Sequence, residues 1–173
     1  MSDEHFQFSS FRENVLEHMI TAECLQELWR QEVFNCEVLK ADVDGAGFDI
    51  VMEANHVLRH IQLKASLLDG RTRQQKINLH LASKPSGCVV WMVVHPKTLD
   101  FDHFYWFGGA PGEPLPDISD APVAKHSKAN AEGFKAERPN LRILSRARFE
   151  RVESVKELVN KLFGQNPTYM DAS

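Results

Sequence analysis

The 173-residue chain has only three cysteines, Cys24, Cys36 and Cys88. They are odd in number, widely spaced and form no CxxC pair. That excludes a disulfide scaffold and fits a reducing, cytoplasmic compartment. Long hydrophobic runs are also missing. The longest is Cys88 to Val94, far short of the ~20 residues of a membrane helix. The opening MSDEHFQFSS is acidic and polar, so neither a signal peptide nor a membrane partner is expected. The eight histidines form no HxH pair, and a zinc site is not expected. There is no Gly-rich phosphate loop and no GxSxG, so NTPase and serine-hydrolase chemistry have no support. No repeat or low-complexity tract is visible.

What the chain does have is an ordinary globular balance, 43% apolar and 25% charged, which excludes a disordered or fibrous chain. The length suits a single domain over 1–173. Its parts read as a core at about 10–108, a proline-rich loop at 109–124, an extension at about 125–164 and a frayed tail at 165–173. The net charge of −4 argues against a general polyanion binder, but its distribution is uneven. Residues 1–55 carry −9 and 85–124 carry −4, while 56–84 and 125–151 carry +5 each. Such segregation can place a basic surface for a polyanion beside an acidic cluster for cations. The alternative is that the blocks interleave into a mixed surface.

Ser10 and Glu13 form a capping-box pattern at the start of a helix running to about Gln31. Its apolar side reads as Phe11, Val15, Met19, Ala22 and Trp29. Val33–Lys40 reads as a strand, and Asp42–Gly47 as a turn. Phe48–Glu53 and Leu58–Ala65 read as two further strands. Residues 71–84 are ambiguous, since Ile77, Leu79 and Leu81 alternate like a strand while Ile77 and Leu81 also suit a helix. Cys88–His95 reads as a buried strand, and His103–Phe107 as an edge strand. Leu141–Leu144 reads as a short strand, and Glu153–Phe163 as a helix closed by Gly164.

The informative stretch is GFDIVMEANHVLRHIQLKAS, residues 47–66. With Asn55 and His56 as a two-residue hairpin loop, facing residues sum to 111. Asp49 then stands opposite Gln62, and Asp49, Gln62 and Lys64 share one face. Phe48, Ile50, Ile61 and Leu63 fall on the other. His60 shares the Asp49 face and is a candidate supporting residue. A carboxylate, an amide and an ammonium on one patch of sheet suit a hard cation with a lysine beside its bound water. The alternative is an amphipathic hairpin with a wet polar face.

The glutamate-bearing helix, the turn, GFDIV, the hairpin and IQLKAS together resemble the PD-(D/E)XK nuclease superfamily, in the branch with glutamine at the second motif position. The resemblance spans residues 10 to 95. It implies an α/β fold with a restriction-endonuclease-like core, a mixed β-sheet flanked by helices, here with a C-terminal strand–helix extension. It also implies a helix between Lys64 and the strand at Cys88. Carried over by position, the metal-binding aspartate falls on Asp49, the second motif residue on Gln62 and the lysine on Lys64, with the Leu63 carbonyl as a further ligand. The implied cofactor is Mg²⁺, or Mn²⁺. The implied function is hydrolysis of phosphodiester bonds, in DNA first, in defence, restriction or repair. A non-catalytic domain on the same fold, binding nucleic acid or a partner protein, is the alternative.

The family also uses a glutamate from the first helix. Glu13, Glu17, Glu23 and Glu27 are candidates. Glu13 is accounted for by the cap, and the helical arc favours Glu23, then Glu17. Arg71, Arg73, Lys76, Lys125, Lys128 and Arg138 are candidate phosphate contacts. Tyr105 and Trp106 offer rings for a base, although such alternation more often marks core. A homodimer, or a subunit of a larger complex, is a further expectation, since the length leaves little room for a separate reading domain.

Overall fold

The computed structural model describes residues 8–40, 45, 47–126 and 135–165. A long helix α1 (Ser9–Arg30) is followed by β1 (Glu37–Lys40), β2 (Ile50–Ala54) and β3 (Val57–Leu67). Then come β4 (Gln74–Asn78), a five-residue 3-10 turn (Leu79–Ser83), β5 (Gly87–Val94) and β6 (Phe101–Gly108). The chain closes with β7 (Val123–Lys125), β8 (Glu137–Ser145), a short 3-10 turn (Arg146–Arg148), β9 (Glu150–Val152) and α2 (Val155–Phe163).

Six strands form one sheet in the order β1-β2-β3-β5-β6-β9, and three form a second in the order β4-β8-β7. Among the described residues only the β3–β5 pair is parallel, so the large sheet is mixed. The fold is therefore α/β in class, with two helices among the described residues. They cover one face of the large sheet, where Leu16, Ile20, Cys24 and Leu28 of α1 and Leu158, Val159, Leu162 and Phe163 of α2 pack on Ile50, Met52, Ile61, Val90 and Met92. The other face packs Val89, Trp91 and Phe107 against Ile77, Leu81 and Leu144, joined by Leu115 and Ile118 of the proline-rich loop. β5 sits between both layers with all eight residues buried, which is why its sequence is an unbroken apolar run.

The β2–β3 register is the expected one: Ile50 faces Ile61, Val51 faces His60 and Ala54 faces Val57. Asn55 and His56 both take positive φ, 51° and 60°, as a two-residue loop of the primed type requires.

Several expectations are corrected. Helix α1 has Phe8 at its N-cap and no side-chain cap, so Ser10 and Glu13 make no capping box. Its buried side is Leu16, Ile20, Cys24 and Leu28, while Phe11 and Trp29 are each 70% exposed. The first strand begins at Glu37 rather than Val33, and the second at Ile50 rather than Phe48. Phe48 packs against the second core instead of beside Ile50. The helix implied after Lys64 is replaced by β4 and the 3-10 turn. β6 is not an edge, because β9 pairs with it. The C-terminal strand and helix are tied into the rest of the fold: β8 pairs with β4, and Arg59 reaches from β3 to α2. Its Nε donates to the Leu162 carbonyl at 2.7 Å and its Nη2 to the Lys161 and Gly109 carbonyls at 3.0 and 3.1 Å.

Candidate functional site

β2 covers only the first half of β3. Pairing stops at Ile50–Ile61, and the chain then bends away, with Gly47 at φ +83°. A Cβ at Gly47 would come 3.0 Å from the Leu81 nitrogen, so this close, left-handed position favours glycine. Asp49 sits just past the end of the pairing. Its backbone N–H donates to the Ile61 carbonyl at 2.9 Å. Its carboxylate Oδ2 accepts the Leu63 N–H at 2.6 Å, a position where a longer β2 would have supplied a carbonyl. The N–H and C=O of a strand residue point to the same edge, so the Leu63 carbonyl faces the Asp49 side.

Asp49, Gln62, Leu63 and Lys64 line one open cleft of about 720 Å³ together with Ser10, Arg12, Glu13, Asn14 and Glu17 of α1 and Gln74–Lys76 of β4. The four expected sheet residues therefore meet in one place. Gln62 is 8% exposed, and its Oε1 accepts the Asn78 N–H at 3.2 Å, which uses one of its two lone pairs. Asp49, Leu63 and Lys64 are half-buried.

The helix carboxylates that reach this cleft are Glu13 and Glu17; Glu23 does not line it. The reason is the position of the buried stripe. At ~100° per residue, Glu13 falls on the line of Leu16, Ile20, Cys24 and Leu28 and Glu17 roughly 40° to one side, whereas Glu23 lies about 80° away. The cap expected to occupy Glu13 does not form. Glu17 is held by Lys40 of β1, Nζ to Oε1 2.7 Å. Glu23 stands near Asp100, and burial first, then that like charge, raises its pKa.

The donors at the cleft are oxygens: the Asp49 carboxylate, the Leu63 carbonyl, the Gln62 amide and the glutamates of α1. That set fits a hard divalent cation with waters completing its shell. Among the described residues, no three His, Cys, Asp or Glu side chains cluster as metal ligands. Thiols contribute nothing here, and burial pushes Cys24 and Cys88 up to about 12.

A second cleft of about 610 Å³ shares Gln62, Lys64 and Lys76 with the first and adds His80, His126 and Arg138. The two adjoin at Gln62, Lys64 and Lys76. Arg71, Arg73 and Lys125 are exposed and line neither cleft. Lys128 lies outside the described residues. His60 is turned from the cleft: its Nδ1 is 2.7 Å from the Pro85 carbonyl and its ring packs edge-on against Phe48. His56 and His60 are four apart, but on a turn and a strand rather than one helical face. Trp106 is buried in the helix-side core, and Tyr105 packs on Trp91, so neither ring is presented to a base. No described helix is long and apolar enough to cross a membrane. No family model matches the chain, and no curated protein and no solved structure matches it.

Proposed function

We propose that the chain is a divalent-cation-dependent phosphodiesterase of the PD-(D/E)XK kind, acting on nucleic acid and on DNA first. One observation carries this reading: Asp49, Gln62, Leu63 and Lys64 converge at the uncovered half of β3, in a cleft also reached by helix glutamates. Asp49 and the Leu63 carbonyl, with Gln62 and Glu17 or Glu13, would hold Mg²⁺ or Mn²⁺. When bound, the ion offsets charge that builds on a phosphoryl group under attack. Lys64 lies in the same cleft, where its ammonium favours the deprotonated form of a nearby water and faces an incoming phosphate. Asp49 has a second role. By accepting the Leu63 N–H it fixes the strand whose next residue is Lys64. The adjoining cleft, which Lys64 and Lys76 line together with His126 and Arg138, would take the phosphate backbone on one side of the site.

A second reading, a non-catalytic domain on the same architecture that binds nucleic acid, is favoured by the Lys40–Glu17 ion pair, which already engages one carboxylate of the cleft. Wild type and Lys64→Ala, assayed on plasmid and single-stranded DNA in Mg²⁺ and in Mn²⁺, separate the two. Cleavage by wild type alone supports the enzyme. Equal cleavage by both assigns the activity to a contaminant, and binding without cleavage by either supports the second reading.

A further inference from the structure

We propose that the outer face of α1 is a self-association surface, on which a second copy of the chain packs its own α1 antiparallel. The helix carries two apolar stripes. One, Leu16, Ile20, Cys24 and Leu28, is spent on the core. The other, apolar except at His18, is Phe11, Val15, His18, Ala22, Leu25 and Trp29, at spacings that alternate four and three without a break. That is the seam spacing of helices that pack knobs into holes. Five of its six residues are exposed and Val15 is half-buried.

The exposed area is of the right order. Phe11 and Trp29 are 70% exposed, and Phe34, whose ring meets Trp29 at 4.9 Å, is 66% exposed. A fully buried aromatic covers ~150–250 Å², so these three alone leave on the order of 400 Å² uncovered. Two such faces, with Leu25 and the helix flanks added, approach the ~1,200 Å² at which specific interfaces begin. The described part of this chain has nothing over them.

The seam also maps onto itself. With a two-fold axis at the level of residue 20, Phe11 meets the second copy's Trp29, Val15 its Leu25 and His18 its Ala22. Aromatic pairs close both ends, and the smallest residue lies next to the axis, where the helices cross most closely. The arrangement is isologous, so it closes as a dimer, and it sets the two helix dipoles in opposition. The candidate cleft is on the inward side of α1 and stays open, so the proposal does not depend on the enzymatic reading.

Sedimentation equilibrium tests it on the full chain. The expected result is a concentration-dependent dimer that Trp29→Glu weakens by at least about tenfold. Far-ultraviolet dichroism should be unchanged, because the residue is exposed. Orientation is read by cross-linking in a Cys36→Ser background, where the double variant His18→Cys, Ala22→Cys should form a disulfide-linked dimer and Ala22→Cys alone should not. A monomer up to millimolar concentration overturns the proposal, as does a dimer indifferent to Trp29→Glu. A dimer linked through Ala22→Cys alone overturns the antiparallel register.

Discussion

The Leu63 N–H donates to the Asp49 carboxylate at 2.6 Å, and this bond stands in for a rung that β2 stops short of making. One side chain thus both finishes a strand pairing and supplies the acid of the proposed site. Substitution separates the roles. Asp49→Asn keeps an acceptor for the N–H and loses the charge, so stability should fall by about 1 kcal/mol, while Asp49→Ala should cost nearer 2–3 kcal/mol. Both should lose cation binding in calorimetric titration. If the two variants unfold at the same denaturant midpoint, the bond contributes little to stability.

Lys64 offers the cleaner kinetic probe. It is half-buried on the polar side of β3, and Lys64→Ala should leave the unfolding midpoint nearly unchanged. Cleavage should drop by at least ~10²-fold, the usual size for a lost charged group at a reacting centre. Cation binding should persist, since the lysine is no ligand.

Among the helix acids, Glu17→Gln and Glu13→Gln should weaken Mn²⁺ binding, and Glu23→Gln should not. Lys40 competes with a cation for Glu17 across 2.7 Å. Lys40→Met should therefore tighten Mn²⁺ binding, at a stability cost of no more than ~1 kcal/mol. Unchanged binding in both Glu17→Gln and Lys40→Met would remove Glu17 from the site.

Glu23 makes its own pH prediction. Burial and Asp100 raise its folded-state pKa, so the folded chain holds that proton more tightly than the unfolded one. Stability from this group is present at low pH and is lost as pH rises from the ordinary glutamate value through the raised one. Glu23→Gln should therefore be more stable than wild type near neutrality. The advantage should fade below the ordinary glutamate pKa. Thermal melts across pH 3 to 8 show it, and a constant offset would contradict the assignment.

The sequence made the hairpin legible because its signal is local. Two turn residues and a period of two set the whole β2–β3 register, and with it the meeting of Asp49, Gln62 and Lys64. The face of α1 was not legible, because two apolar stripes compete on one helix and periodicity does not say which one meets the sheet. The more aromatic stripe is the exposed one. Taking that stripe as the buried one points Glu23 toward the sheet, whereas Glu13 and Glu17 are the helix acids that line the cleft. β7 and β9, three residues each, are too short for any pattern to appear. The pairing of β4 with β8 joins residues some seventy apart, which no local spacing records.

Arg59 is fully buried at 0% exposure and bonds only to backbone carbonyls. Arg59→Leu should cost about 3 kcal/mol or more, because three carbonyls lose a charged donor. Arg59→Lys should recover little, since an ammonium lacks the planar fork. Equilibrium denaturation with each variant measures this.

The same arginine governs how the chain can be divided. Its three acceptors come from residues 109, 161 and 162, fifty and a hundred positions downstream. A fragment that stops before α2 would strand a cation inside the helix-side core, with no carboxylate to neutralise it. The hairpin that carries the cleft and the last helix are thus mutually dependent, and a minimal version cut to residues 10–108 would lose the very strand it was meant to keep.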